Sequence, residues 1–280
     1  MSDIQQKNPV YIIRPPRAWF ALEWAELVRY KELLGVFVWR NIKVRYKQTS
    51  IGVAWAVLQP LLTMIIFSVF FGRLAKIPSD GTPYPIFVFA GLLFWNLFSS
   101  SLTNASSSMV ESSGMIQKIY FPRLILPLSA ILTPMIDFAI SFGVLLCVMA
   151  WYRFLPGWHG IVLLPLLMGM TIFSVLGLGL WLCSLNVKYR DVRYALPFFI
   201  QILLFVTPVI YPVSIIPQRF QWIAYLNPMT GVITAARSSL LRNASVDWTL
   251  LAISFIVSIV LFLFGLWYFK KTEQFFADII

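Results

Sequence analysis

The sequence has few cysteines, few histidines and little charge. Its 280 residues include two cysteines and one histidine, too few for a disulfide framework or a His/Cys metal cluster. Charged residues make up 12% of the chain and apolar residues 59%, whereas soluble domains carry about 25% and about 45–50%. One water-soluble core of this size cannot hide so much apolar surface. A soluble enzyme, a disulfide scaffold and a disordered chain are therefore excluded.

Long runs without charge predict the membrane spans. A helix needs about 20 apolar residues to cross a hydrocarbon core about 30 Å thick, and a helix pairs every backbone group within its own segment. The chain is therefore predicted to be an all-α polytopic membrane protein with six transmembrane helices. These spans are residues 51–71, 85–105, 124–151, 161–185, 194–212 and 246–269.

Two segments flank or interrupt this frame. Residues 1–30 are polar and lack the apolar run of a signal peptide, so we expect a cytoplasmic extension before a transmembrane domain at 31–280. Residues 213–242 contain a short uncharged stretch that Asn227 and Pro228 split. We interpret 213–242 as a re-entrant pair of short helices at the outer interface, with a seventh span as the alternative.

The basic residues give the orientation. If the N-terminus is cytoplasmic, six of the 22 Lys and Arg residues lie outside and the rest inside. The six outer residues are Arg73, Lys76, Arg153, Arg219, Arg237 and Arg242. The positive-inside rule favours this arrangement, which places both termini in the cytoplasm. A seventh span would put Lys270 and Lys271 outside, which counts against it.

Residues 33–48 predict an amphipathic helix at the inner surface, here called the interfacial helix. Arg40, Lys43 and Lys47 share one face, and the opposite face is apolar. Such a helix lies in the plane of the membrane, either as an anchor or as a lever that contacts a cytoplasmic partner. Its candidate residues are Trp39, Arg40, Lys43, Arg45 and Lys47.

The inner loop 111–122 is the second candidate. It is polar for about one helical turn, then amphipathic, and it ends at Pro122. It is either a plain connection or a short helix presented to a cytoplasmic protein. Its candidate residues are Glu111, Ser112, Gly114, Met115, Gln117, Lys118 and Tyr120.

Hydroxyl and amide side chains accumulate along the second span, most densely at residues 99–108. They either let neighbouring helices approach closely or line a wet passage. Aromatic residues belong by default to interfacial belts, but their flat faces could also contact sugar rings. The candidate passage residues are Trp55, Gln59, Trp95, Asn96, Ser100, Asn104 and Tyr211.

Asp137 is the one charge deep in a predicted span. An aspartate at mid-membrane costs about 2.5–3.5 kcal/mol on insertion scales, so its side chain should face protein or water. No ionisable partner for it is found among the membrane residues. A structural hydrogen-bonding role is therefore favoured over proton coupling.

Chemistry that the chain would need as an enzyme is missing. The sequence has no GxxxxGK[ST] loop for nucleotide phosphates and no HExxH motif. In the predicted orientation the outer acids are Asp80 and Asp247, which form no carboxylate cluster for a transferase or hydrolase. We therefore expect no catalytic residues, metal site or cofactor in this chain.

Four segments together resemble the membrane subunits of bacterial polysaccharide ABC exporters. They are WRNIKVRYKQTSIGVAWAVLQP (39–60), IQKIYFPRLILPLSA (116–130), LNVKYRDV (185–192), and TPVIYP followed by LNPMTGV (207–212 and 226–232). They occur in order on a six-span frame, and the resemblance covers nearly everything after about Tyr30. The family exports O-antigen, capsule or teichoic acid, and the match favours the O-antigen permease type.

The resemblance implies partners and a location. Such permeases are homodimers in the bacterial inner membrane, seated on two copies of a separate ATPase subunit that binds ATP and Mg²⁺. Their substrate is a polysaccharide on a polyprenyl pyrophosphate carrier, moved to the periplasmic side. Membrane lipids are further expected partners, and no nucleic-acid partner is expected.

It also implies roles for particular segments. Residues 111–120 would be the coupling helix that docks into the ATPase, with the interfacial helix beside it. The passage would form between protomers, lined by the first, second and fifth spans. The outer helix pair would close the exit, with gate residues Pro212, Pro217, Trp222, Asn227 and Pro228. A membrane-bound glycan transferase and a proton-coupled carrier are the competing functions.

Overall fold

The structure is a computed structural model that describes residues 24–47, 54–189, 191–241 and 245–276. Within these ranges the chain forms twelve α-helices and no β-strand. The helices are α1 (Trp24–Arg29), α2 (Lys31–Lys47), α3 (Ala54–Phe67), α4 (Tyr84–Glu111), α5 (Ser113–Ile116), α6 (Ile125–Leu132), α7 (Pro134–Trp151), α8 (Trp158–Lys188), α9 (Val192–Val206), α10 (Gln218–Tyr225), α11 (Pro228–Leu241) and α12 (Trp248–Glu273). A π-helix at Ser68–Leu74 continues α3, and a 3₁₀ turn at Val213–Ile215 precedes α10.

Five segments are long and apolar enough to cross a membrane, so the chain is a membrane protein. They are Ala54–Leu74, Tyr84–Glu111, Ile125–Trp151, Trp158–Lys188 and Trp248–Glu273. Each overlaps a predicted span. The start of the first predicted span, residues 51–53, lies outside the described residues, as does most of the predicted extension 1–30.

Helix boundaries follow local backbone chemistry. Proline opens α7 at Pro134 and α11 at Pro228, where its missing N–H costs nothing because the first helical N–H groups have no intrahelical partner. At α12, Oδ1 of Asp247 accepts from the backbone N–H groups of Thr249 and Leu250, both at 3.0 Å. This N-cap fixes the last span to begin at Trp248.

The predicted fifth span, 194–212, is shorter as a helix. In the structure α9 ends at Val206, and Thr207 is extended with φ −78° and ψ 137°. Pro208 explains the ending, because a proline disfavours helical geometry in the residue before it. At 1.5 Å per residue the 15 residues of α9 span about 23 Å, less than a hydrocarbon core of about 30 Å.

The predicted outer pair at 213–242 consists of two unequal helices. The eight-residue α10 carries exposed Trp222 and Ile223, whereas in α11 all but one of its fourteen residues are buried. Between them Asn227 caps α11, since its Oδ1 accepts from the Met229 N–H at 3.0 Å. Its Nδ2 donates to the Thr207 hydroxyl at 2.7 Å, which ties the pair to the end of α9. Residue 242 lies outside the described residues.

The most buried candidate span is α4, which packs against α3, α6, α7, α8, α9 and α11. Its apolar side chains form the main core with α8 and α11. A second cluster, here called the inner cluster, joins α2, the end of α4 and the end of α12. Its members include Phe37, Met109, Ile116, Phe121, Phe269 and Phe276.

Candidate functional site

Asp137 lies in the first turn of α7, and two consecutive residues of α2 bind its carboxylate. Nη2 of Arg45 lies 2.7 Å from Oδ2, and the Tyr46 hydroxyl donates a hydrogen bond to Oδ1. The ionisable partner of Asp137 was sought among the membrane residues alone, so Arg45 was not considered. The partner comes from the interfacial helix, which a search among the spans does not reach.

The three side chains differ in charge and exposure. Burial raises the pKa of Tyr46 to about 12, and the hydrogen bond to Asp137 and its negative charge act in the same direction. Tyr46 is therefore a protonated donor at neutral pH. The side chains of Arg45 and Asp137 are 39% and 22% exposed, so water screens their attraction and the ion pair contributes about 1 kcal/mol or less.

A cavity of about 180 Å³ lies beside this group, and we call it the deep cavity. Arg45, Tyr46 and Asp137 line one side of it. The helices α3 and α4 supply four of the predicted passage residues. These are Trp55, Gln59, Asn96 and Ser100. Residues far apart in the chain thus form one polar pocket between α2, α3, α4 and α7.

A larger cavity of about 910 Å³ adjoins it, here called the inner cavity. Both cavities share Arg45, Ser99 and Ser100 as lining residues. The inner cavity also contains Asn104 of the predicted passage and Arg40 of α2. Four residues of the predicted coupling segment complete it, namely Glu111, Ser112, Gly114 and Met115.

Two predicted passage residues lie elsewhere. Trp95 is 4% exposed and packs in the main core, with its ring centroid 5.6 Å from that of Phe98. The Tyr211 hydroxyl donates to the carbonyl oxygens of Phe205 and Val206 at 2.9 and 3.1 Å. It thereby pairs two carbonyl groups at the end of α9.

The candidate residues of α2 lie on its exposed side. Trp39, Arg40, Lys43, Arg45 and Lys47 are all exposed, whereas Phe37 is the buried residue of this helix. Lys43 Nζ lies 5.3 Å from the Trp39 ring centroid, and the Arg40 guanidinium lies 5.0 Å from that of Phe37. The basic groups therefore sit on aromatic faces beside open surface. Residue 48, the predicted end, lies outside the described residues.

The predicted coupling segment is helical over one turn. Glu111 ends α4, Ser112 follows it, and α5 contains Gly114 and Met115. Beyond α5 the chain leaves the helix, and Gln117, Lys118 and Tyr120 are exposed, Tyr120 by 70%. Ile116 and Phe121 are buried in the inner cluster. An exposed strip of about four residues is thus held at both ends by apolar anchors.

The predicted gate residues are spread along the connection from α9 to α11. Pro212 and Pro228 are buried, Pro217 and Trp222 are exposed, and Asn227 is partly buried. Trp222 is 61% exposed on α10. Pro217 and Trp222 are therefore accessible at the surface. The other three predicted gate residues lie in the connection that runs from α9 to the first residue of α11.

Comparison of the sequence with known protein families gives a match. Residues 32–241 match the family described as ABC-2 type transporter, which is most of the chain. The chain belongs to the ABC-2 type transporter family. This confirms the resemblance carried by the four sequence segments, all of which lie inside the matched range.

Curated relatives of this ABC-2 chain are named as permeases. The O-antigen export system permease protein RfbA of Klebsiella pneumoniae is 30% identical over 250 residues, covering 89% of this chain and 95% of that protein. RfbA of Myxococcus xanthus is 30% identical over 259 residues, covering 91% and 98%. The polysialic acid transport protein KpsM of Escherichia coli is 22% identical over 244 residues, covering 84% and 91%. These names are those of transport components.

One residue of this ABC-2 chain escaped the sequence reasoning. Arg237 was counted as an outer-side charge, but it is 5% exposed within α11. Its guanidinium donates to backbone carbonyl groups, including those of Phe87 at 3.1 Å and Pro208 at 2.7 Å. The available signal was its position as the one charged residue between Phe220 and Leu241.

The residues that bind metals most often are scattered in this ABC-2 chain. Among the described ranges no three His, Cys, Asp or Glu side chains come together as a metal site. Cys183 is buried and Cys147 is exposed, and both are free thiols. What converges at the site is one ion pair surrounded by hydroxyl, amide and aromatic groups.

Proposed function

We propose that this chain is the permease subunit of an ATP-driven exporter that moves polyprenyl-pyrophosphate-linked O-antigen from the cytoplasmic to the periplasmic side of the bacterial inner membrane. The observation that carries the proposal is the match to O-antigen export permeases over about nine-tenths of both chains. The polar cavities beside α2 and α4 are consistent with a sugar chain as cargo, because their hydroxyl and amide groups can hydrogen-bond a hydrated glycan.

Capsular polysaccharide or teichoic acid is the second candidate cargo. The relative named for polysialic acid transport favours it, at 22% identity against 30% for the O-antigen permeases. A membrane-bound glycan transferase and a proton-coupled carrier rank lower. If protons drove transport, then Asp137→Asn would abolish it, and collapse of the proton gradient would do the same with ATP still present.

In the membrane the chain would have six spans, with α9 as the fifth. Lys188 ends α8 and Arg193 lies in the first turn of α9, so both helices would have basic inner ends. Lys270 and Lys271 lie in the last turn of α12. This distribution supports cytoplasmic termini under the positive-inside rule. The turns from Thr207 to Pro217 would complete the crossing that α9 begins.

The motor would be a separate ATPase subunit, present in two copies, that binds ATP and Mg²⁺. The exposed strip Gln117–Tyr120 offers it a contact, because side chains there point away from the core while Ile116 and Phe121 hold the ends. The interfacial helix lies beside this strip, with Phe37 and Phe121 in edge-to-face contact at a ring-centroid distance of 5.8 Å.

The passage would form between two copies of the chain, along α3, α4 and α9. Gln201 on α9 is exposed among apolar side chains, and Gln59 on α3 is exposed at the edge of the deep cavity. An amide facing hydrocarbon leaves its hydrogen-bonding groups unpaired at substantial cost. A second protomer with a polar passage at the interface would give both amides partners. The short helices α10 and α11 would then close the outer end.

The basic face of α2 would attract the pyrophosphate of the carrier lipid. Arg40, Lys43 and Lys47 are exposed on one side of this helix, and Arg40 also lines the inner cavity. Arginine and lysine side chains bind phosphate groups through charge-assisted hydrogen bonds. The carrier headgroup could thus be held at the mouth of the cavity where the glycan enters.

Inactivating the gene in its own host tests the proposed function. We expect lipid-linked polysaccharide to accumulate on the cytoplasmic side and surface O-antigen to disappear, with recovery when the intact gene is returned. Loss of capsule with normal O-antigen would show that the cargo is capsular polysaccharide and not O-antigen. Normal levels of every surface polymer would refute an export function.

A further inference from the structure

The Arg45–Asp137 contact stands at a boundary between two spaces. Arg45 lines both the deep cavity and the inner cavity, whereas Asp137 and Tyr46 line the deep cavity. The ion pair at 2.7 Å therefore connects α2 to α7 at the edge where the cavities meet. A displacement of the Arg45 side chain would remove a shared wall.

The contact is specific because two neighbouring residues converge on one carboxylate. Successive helical residues point about 100° apart, so Arg45 and Tyr46 can bind the same group only if it lies between their directions. They use different oxygens, Oδ2 for Arg45 and Oδ1 for Tyr46. Asp137 is thus held by the end of α2 through two contacts, an ion pair with Arg45 and a hydrogen bond from the Tyr46 hydroxyl.

The helix that carries these residues has a largely exposed surface and packs along α6. Among the 17 residues of α2, all of them described, Phe37 alone is buried. Phe37 contacts Phe121, which directly follows the exposed strip Gln117–Tyr120. Hence α2 is attached near this strip, along α6 and at Asp137. A force on the strip would reach the cavity boundary through a single rigid helix.

We propose that Arg45, Tyr46 and Asp137 form a latch between α2 and α7 that separates the inner cavity from the deep cavity, and that displacement of α2 opens the latch and joins them. The proposal rests on the proposed function in one respect, namely that both cavities belong to the transport passage. A partly exposed ion pair suits this role, because such pairs are weak enough to break and re-form.

Accessibility of the deep cavity tests the latch. We would place a single cysteine at Asn96, which lines the deep cavity alone, and in a second protein at Ser100, which lines both cavities. Both would carry Cys147→Ser and Cys183→Ala. Full-length protein in inside-out membrane vesicles would then react with a small membrane-impermeant thiol reagent from the cytoplasmic side.

With the latch intact, Asn96→Cys should react slowly relative to Ser100→Cys. Adding Asp137→Asn should raise the rate at Asn96→Cys by about fivefold, the population change expected on losing a partly exposed ion pair, and change the rate at Ser100→Cys little. Tyr46→Phe should give a smaller rise. Lys31→Gln, at the other end of α2, serves as the matched control and should leave both rates unchanged.

Charge exchange provides the rescue. Arg45→Asp combined with Asp137→Arg should return the Asn96→Cys rate toward that of the intact latch, whereas each single reversal should raise it. An unchanged rate at Asn96→Cys in both Asp137→Asn and Tyr46→Phe would overturn the proposal. The assay measures accessibility without any cargo, so its outcome is independent of whether the chain exports O-antigen.

Discussion

The guanidinium carbon of Arg237 lies 3.7 Å from the centre of the Phe87 ring, and its Nε donates to the Phe87 carbonyl oxygen at 3.1 Å. Its Nη1 donates to the carbonyl oxygens of Pro208 at 2.7 Å and Tyr211 at 3.4 Å, and Nη2 donates to that of Val209. One side chain of α11 therefore fastens the turn after α9 to α4.

Replacing Arg237 should destabilise this turn. Hydrogen bonds to a charged group contribute about 1.5–3 kcal/mol each, so Arg237→Met should lower the free energy of unfolding by at least about 3 kcal/mol. Thermal unfolding of the purified protein, followed by tryptophan fluorescence, would measure the change. Arg219→Met is the control, because Arg219 is exposed on α10. Equal melting temperatures for the two variants would contradict the assigned role of Arg237.

The crossing of α8 and α12 depends on a pair of glycines. A Cβ added at Gly265 would lie 1.9 Å from the Gly177 carbonyl oxygen, so Gly265→Ala must push the helices apart. This separation would also break the hydroxyl contact between Ser174 and Ser258, which are 2.8 Å apart. We expect a stability loss of about 1–3 kcal/mol, again measured as a fall in melting temperature.

Gly169 provides the control for this glycine pair. It also lies in α8, but a Cβ built there meets no atom within 4 Å. Gly169→Ala should therefore leave stability unchanged or raise it by up to about 1 kcal/mol, because alanine favours helix more than glycine does. A similar loss in both variants would show that the effect is not close helix packing.

Coupling to the ATPase should depend on the segment 111–120. Gly114→Pro restricts the backbone of α5, and Lys118→Glu reverses a charge on the exposed strip. Each should leave the permease folded and ATP hydrolysis active while export falls by roughly tenfold. Simultaneous assays of ATP hydrolysis and export in the assembled transporter would measure this.

Gly114→Ala is the matched control for coupling, because a Cβ at Gly114 meets nothing within 4 Å. It should export normally. If Gly114→Pro and Lys118→Glu also export at the rate of the unaltered protein, the contact with the ATPase lies elsewhere on the inner surface.

The basic face of α2 should matter for substrate capture. Neutralising Arg40, Lys43 and Lys47 to glutamine removes three exposed charges, so export at low substrate should fall and its dependence on salt should weaken. Initial rates across substrate and salt concentrations would show this. The control is neutralisation of Lys76 and Arg153 on the predicted outer side. Undiminished export by the triple variant would exclude headgroup binding at this face.

The membrane spans could be predicted because a segment that crosses the hydrocarbon core as a helix needs about 20 apolar residues. Runs without charge from Pro85 and from Ile161 located α4 and α8. In the structure α4 begins one residue earlier and ends six residues later than predicted, and α8 extends three residues further at each end. The end of α9 was missed by six residues, because apolar composition continues to Pro212 while Pro208 already ends the helix. Local proline chemistry there outweighs the hydropathy pattern.

The site itself was only partly accessible from sequence. Gln59, Asn96 and Ser100 could be chosen as polar residues on apolar helices, and they do meet in one cavity. The bond between Arg45 and Asp137 joins residues 92 positions apart, and no periodicity in either helix encodes that contact. Trp95 shows the converse, since an aromatic residue directly before the polar Asn96 can face the core.

The most direct test of the account is transport by purified components. The permease would be reconstituted in lipid vesicles with and without its ATPase subunit, and the appearance of lipid-linked O-antigen on the far side would be followed with an impermeant glycan-degrading enzyme. We predict transport that requires both the ATPase subunit and ATP, and that persists when the proton gradient is collapsed. Transport by the permease alone, or transport that stops with the gradient, would contradict the account.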